Sequence, residues 1–114
     1  VAGVGLLALV TMTVFSGGPD GTDVRSMHTG QCYVETDVVE DHGRLIPYGK
    51  DAPCLTSSPR VVAVVELPLG AYPGVDELNQ VVADRCGGEQ TYVVAPTAET
   101  WPDGDRTLVC LHLP

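Results

Sequence analysis

Ala95-Pro96-Thr97-Ala98-Glu99-Thr100-Trp101-Pro102-Asp103-Gly104-Asp105-Arg106-Thr107-Leu108-Val109-Cys110 holds the chain's one tryptophan, a turn dense in acidic residues, and the last cysteine on a strand-like run. Pro96 through Trp101 reads as a short helical turn capped by Thr97, whose hydroxyl can accept from an orphan N–H of the first turn. Pro102-Asp103-Gly104-Asp105 is a turn by composition. Residues 106–113 then alternate as a strand, with Leu108, Cys110 and His112 on one face and Thr107, Val109 and Leu111 on the other. Asp105 is expected to pair with a backbone N–H or with Arg106 and so fix the Trp101 turn on this last strand. Because Trp and Arg are frequent interface anchors, Trp101, Asp105 and Arg106 are also the candidate partner-binding residues.

Upstream lies the element that Cys110 needs. Val75, Leu78, Val82 and Cys86, with Val81 beside them, form one apolar stripe, so residues 75–86 read as an amphipathic helix. Asp76 and Glu77 sit in its first turn and Arg85 in its last, as the helix dipole favours, and Gly87-Gly88 supplies the stop. Cys86 on the inner face is then placed to bond Cys110. Arg60-Val61-Val62-Ala63-Val64-Val65-Glu66-Leu67-Pro68 is the strongest strand: β-branched residues stiff at χ1 suit a pleated sheet. Its apolarity on both faces predicts a central strand covered on each side. Residues 69–74 are a turn, and residues 90–95 a further strand.

In the first half, Cys32, Val34 and Thr36 alternate with Gln31, Tyr33 and Glu35 as in a half-buried strand. Residues 38–47 read as a hairpin turning at Asp41-His42-Gly43, and residues 48–53 as a loop broken by Gly49, Asp51 and Pro53. A bond from Cys32 to Cys54 would close that loop, worth about 3 kcal/mol in the chain-entropy model. Four cysteines allow three connectivities, and the two pairings named here are the expected ones. A metal site is the competing reading, but Cys32, Cys54, Cys86 and Cys110 show no C-x₂-C pair. Disulfides imply an oxidising compartment.

Residues 1–15 carry no charge; all 6 Lys+Arg and all 15 Asp+Glu of the 114 residues follow them. As a helix this run reaches about 22 Å, short of the ~30 Å hydrocarbon core, and a few further apolar residues before it would let it span. It is read as a transmembrane anchor over residues 1–16, with a signal cleaved after Ser16 as the alternative. Residues 17–27, rich in Gly, Pro and Asp, are expected to be a flexible linker, and residues 28–114 the exported domain. After the apolar run come only four tyrosines and one tryptophan, so Val, Leu and Ala must build the core, and a domain of this size benefits from staples. The net charge of −9 argues against nucleic acid, which needs a basic face, and against an anionic membrane surface.

No nucleophile–base set stands out in the sequence. Ser57 and Ser58 lack a nucleophile context, and Lys50, the one lysine, reads as a solvated loop charge. His28, His42 and His112 are scattered, without metal spacing. Glu99, Asp103 and Asp105 give too few ligands for calcium. No cofactor is expected.

The run P-T-x-x-x-W-x-x-G-D-R-x-x-x-C-L, present as Pro96, Thr97, Trp101, Gly104, Asp105, Arg106, Cys110 and Leu111, is joined upstream by Gly30, Cys32, Leu67-Pro68, Tyr72-Pro73-Gly74, Leu78 and Cys86. Over about residues 24–112 this resembles the septum-formation domain family of actinobacterial envelope proteins. The resemblance implies an N-terminal transmembrane segment and an extracytoplasmic module with paired cysteines. It departs from the family pattern at Pro59-Arg60-Val61-Val62-Ala63-Val64, where relatives show a Pro-His pair followed by Glu-Val. Any site built on that histidine and glutamate is lost here. The expected fold is thus α+β: a small antiparallel sheet with one main helix packed on it, two disulfides, and a preceding transmembrane helix. The expected function is a non-enzymatic, membrane-anchored binding or accessory module of the cell envelope. Its partner would be another envelope or membrane protein, with a link to septum formation or a larger membrane complex. The alternative is a small envelope enzyme or metal-binding protein using His and acidic residues.

Overall fold

The computed structural model describes residues 18–114. The chain runs β1 (Thr22–Asp23), β2 (Tyr33–Asp41), β3 (Arg44–Asp51), β4 (Arg60–Glu66), α1 (Val75–Cys86), β5 (Tyr92–Val94) and β6 (Thr107–His112), with 3₁₀ turns at Val24–Ser26 and Trp101–Asp103. The class is α+β, as expected, but the strands divide into two antiparallel sheets rather than one, ordered β1-β3-β2 and β4-β6-β5.

Leu108, Val109, Cys110 and Leu111 have no exposed surface, so β6 is covered on both faces. Val109 and Leu111 face Val24, Met27, Tyr33 and Ile46 of the first sheet and its 3₁₀ turn. Leu108 and Cys110 face Leu78, Cys86 and Trp101. The second sheet is therefore a middle layer between the first sheet and α1. β4 also contributes to both cores, as its apolar run predicts, but it lies at an edge of its sheet and β6 is central. A register shift between Val61 and Ala63 makes this possible. The extra residue re-phases the alternation, so Val61 and Val64 face one core while Val62, Ala63 and Val65 face the other.

The outer edge of β4 is not bare. Gly30 donates to the Val61 carbonyl at 2.8 Å, Val61 donates to Gln31 at 2.8 Å, and Cys32 bridges Arg60. These bonds stitch the two sheets together where β2 begins, and the Cys32–Cys54 disulfide lies at the same seam. The second disulfide, Cys86–Cys110, joins the end of α1 to β6. Both pairings are the expected ones.

The β2–β3 hairpin turns at His42 and Gly43, with φ of 51° and 82°. Two left-handed residues in a two-residue loop give the twist a hairpin needs. β3 continues to Asp51, through residues expected to be loop, because it is the middle strand of its sheet and pairs on both edges. Gly49 serves that strand rather than breaking it: a Cβ there would lie 2.5 Å from the Tyr33 ring and 2.7 Å from the Val34 carbonyl oxygen.

α1 has the predicted bounds and ends on a left-handed Gly87. Of its stripe, Leu78 and Cys86 are buried and Val75 is exposed. The anchor expected over residues 1–16 lies outside the described residues; among the described residues no helix is long and apolar enough to cross a membrane. The expected linker needs correction at its C-terminal end. Thr22–Asp23 pairs with β3, and Val24 and Met27 are core residues. Two apolar side chains in a Gly/Asp-rich stretch carry no periodicity, so their burial was not legible locally.

Candidate functional site

The Trp101 turn is built by two threonines. Thr100 N–H donates to Thr97 Oγ1 at 3.1 Å and Thr97 N–H donates to Thr100 Oγ1 at 2.9 Å. This is the reciprocal logic of a capping box with Thr in the acidic position. Trp101 N–H closes the turn onto the Thr97 carbonyl at 2.9 Å. The indole is 6 % exposed; its Nε1 donates to the Gly70 carbonyl at 2.8 Å, and Tyr72 meets it edge-on at 5.8 Å between centroids. The turn thereby holds the loop before α1 in place.

Asp105 does not pair with Arg106. Its Oδ2 accepts from Thr100 Oγ1 at 2.8 Å and from Arg44 at 2.8 Å, and Arg25 lies 3.6 Å from its Oδ1. Arg44 also reaches Asp41 at 2.8 Å and the Ala95 carbonyl at 2.7 Å. Arg25 is held by Asp23 at 2.6 Å, and that hydrogen-bonded carboxylate keeps the guanidinium pKa above its ordinary value. Asp105 is thus the junction where the first 3₁₀ turn, the hairpin and the β6 entry meet. Its charge is spent inward. Sequence reasoning missed Arg25 and Arg44, because a pair separated by 80 or 61 residues leaves no periodic trace.

Arg106 takes a different position. Its guanidinium stacks 4.0 Å over the Trp101 ring, an arrangement favoured by the ring quadrupole. Its Nη1 is buried with no hydrogen-bond partner among the described residues, and no carboxylate there lies within ion-pair distance of it. Trp101 also floors an apolar groove of about 210 Å³, walled by Leu67, Pro68, Leu69, Pro73, Glu77 and Val81. Leu69, on that wall, is 86 % exposed. A more open depression of about 510 Å³ lies among Tyr72, Val75, Asn79 and residues 95–98. Of the three candidate binding residues, Trp101 and Asp105 hold the fold, and Arg106 alone keeps donors to offer.

The histidines stand apart. His42 contacts Asp41 at 2.6 Å on the hairpin tip, His112 Nδ1 is 3.1 Å from the Glu89 carbonyl, and His28 accepts a turn bond from Gln31 through its own carbonyl. Among the described residues no three His, Cys, Asp or Glu side chains converge as a metal ion would require. Ser58 Oγ is engaged with Pro53 and Leu55 within its own turn. Arg60 pairs with Glu89 at 3.0 Å. The arrangement is an apolar recess lined by Trp101, with the Arg106 guanidinium stacked on the same indole. Compared with known proteins, the chain matches no family model, no curated protein and no solved structure.

Proposed function

We propose that this chain is a non-enzymatic, membrane-anchored module of the cell envelope, with its folded part on the extracytoplasmic side and a binding or accessory role toward another envelope or membrane protein. The observation that carries this reading is the pair of disulfides, Cys32–Cys54 and Cys86–Cys110, which persist in oxidising compartments and not in the cytosol. The uncharged apolar run over residues 1–15 supports an anchor. The W-x-x-G-D-R-x-x-x-C run, in its resemblance to the septum-formation family, supports a place in division or in a larger membrane complex. The separation of His28, His42 and His112 favours binding over the alternative of a histidine-based enzyme or metal protein.

The test is topology in intact cells making the full chain. Membrane-impermeant maleimide, applied after mild reduction, should label Cys54, the exposed partner of the Cys32–Cys54 bond, and without reduction no cysteine. Free thiols reached only after lysis would overturn the reading.

A further inference from the structure

The two disulfides stand in opposite surroundings. Cys86 and Cys110 are 2 % and 0 % exposed, sealed where the end of α1 meets the middle strand of its sheet. Cys32 is 3 % exposed, but its partner Cys54 is exposed, within a run of five exposed residues from Pro53 to Ser57. Leu55, directly after it, is 68 % exposed. Residues 52–59 belong to no strand or helix, and Ser58 ties the turn only to itself. Its Oγ accepts from Leu55 N–H at 2.9 Å and donates to the Pro53 carbonyl at 3.0 Å. The seam beside this bond is held without it. Besides the backbone bonds from Gly30 and Gln31 to Val61, Tyr33 N–H donates to the Pro59 carbonyl and Ala52 N–H to the Cys32 carbonyl, each at 3.1 Å. Opening Cys32–Cys54 therefore frees a surface loop and leaves the two sheets joined.

Resting on the reading of this chain as an exported, disulfide-bonded module, we propose that Cys32–Cys54 is a thiol-exchange site, opened and reclosed by a dithiol while Cys86–Cys110 stays shut. Exchange requires a thiolate to reach a disulfide sulfur, and exposed bonds are the labile ones. Cys54 is the half of this bond open to attack. The thiolate bonds to Cys54 Sγ, the Sγ–Sγ bond breaks, and its electron pair leaves on Cys32, which takes a proton from water. The second thiol of the dithiol, deprotonated, attacks its own partner sulfur. Cys54 then leaves as a thiolate and is protonated in turn. The dithiol ends as a disulfide, having given up two electrons and two protons, and Cys32 and Cys54 hold both as thiols. The Gly30 carbonyl oxygen lies 3.9 Å from Cys54 Sγ. It is an acceptor for the new S–H, a weak donor, and so keeps Cys54 beside Cys32 for the reverse reaction.

The oxidised full chain in detergent, treated with dithiothreitol, quenched in acid, unfolded, alkylated and mapped by mass spectrometry, tests this. Cys32 and Cys54 should become alkylatable about tenfold faster or more than Cys86 and Cys110, which need a larger opening of the fold. Fluorescence of Trp101, the chain's one tryptophan, should not change as the first bond opens. Hydrogen exchange should rise across residues 52–59 and stay constant in α1 and β6. Brief exposure to 2-mercaptoethanol should leave its adduct on Cys54 and the alkyl group on Cys32, and hydroxyethyl disulfide should restore the bond. A thioredoxin whose second active-site cysteine is replaced by Ala separates the two sources of dithiol. An adduct trapped through Cys54 assigns the site to protein dithiols, and opening by dithiothreitol alone assigns it to small ones. Equal rates for the two disulfides, opening only at the rate of global unfolding, an adduct on Cys32, or loss of the folded signal on opening would overturn the proposal. So would a Cys32→Ser, Cys54→Ser double variant that fails to fold. Equal rates with Cys54 labelled outside the cell sink only the exchange site. Thiols reached only after lysis sink the module reading, and the rates of the purified chain still decide the site.

Discussion

The Asp105–Arg44 pair should behave as a structural clamp, and a double-mutant cycle can measure it. The two side chains are 12 % and 10 % exposed and 2.8 Å apart. With an effective dielectric near 20, unit charges at that separation attract by roughly 6 kcal/mol. Desolvation and the residual contact with water return most of this. Arg44 keeps Asp41 and the Ala95 carbonyl when Asp105 is changed, which softens the loss further. The expected coupling is about 2 kcal/mol. Asp105→Asn retains an acceptor for Thr100 and should isolate the charge, while Arg44→Met removes the other partner. Urea unfolding of the oxidised protein should show an unchanged m-value, and each single variant should lower Tm by about 10 °C in a domain of this size. The Lys50–Asp20 pair, 3.4 Å apart with both side chains more than half exposed (61 % and 63 %), provides the internal reference and should show no measurable coupling. If the Asp105–Arg44 cycle is equally flat, the meeting of the hairpin and the β6 entry is held by apolar packing alone and the clamp is wrong.

Further outcomes follow from single features. Gly49→Ala should cost about 3 kcal/mol, since its Cβ would collide with the Tyr33 ring and with a backbone carbonyl; a near-neutral urea midpoint would show that β2 can give way. Replacing both Cys86 and Cys110 by Ala should cost about 3.5 kcal/mol for a loop with a sequence separation of 24, and hydrogen exchange should rise in α1 before it rises in β2 and β3. Burial pushes the Tyr33 hydroxyl up to about 12 from 10.0. The neutral form is favoured by folding, so this contribution is full below pH 10 and is lost as pH rises toward 12, readable as phenolate absorbance coincident with unfolding. Hydrogen bonds from Arg44 and His42 hold the Asp41 carboxyl below its ordinary 3.8. Its contribution is present above that value and is lost as pH falls through the lower folded midpoint; carboxyl NMR titration should return the midpoint upward in Arg44→Met.

The pieces of this fold that depend on near neighbours were legible in the chain. α1 runs from Val75 to Cys86 because its stripe, its acidic first turn and Gly87 are all local signals. The hairpin turns at His42 and Gly43 because Gly beside a residue tolerant of positive φ has few other uses between two alternating runs. The threonine-capped Trp101 turn was legible as well, and the two disulfides are the pairing expected among the three that four cysteines allow. The Val24–Ser26 turn did not, because burial of Val24 is decided by what lies opposite it.

Position in space was set elsewhere. The valine-rich β4 shows the stronger strand sequence, yet β6 is the middle strand, with Leu108, Val109, Cys110 and Leu111 buried from both sides. Sequence counts apolar residues along one strand, whereas centrality depends on which strands find partners on both edges. The chain determined by itself that it would be a small, acidic, disulfide-stapled α+β domain, since those properties are sums over residues or contacts between neighbours. Only the tertiary structure decided that the strands divide into two sheets and that Asp105 serves Arg44 rather than Arg106. Those outcomes rest on pairs far apart in sequence, whose meeting is fixed by packing of the whole and by no local pattern.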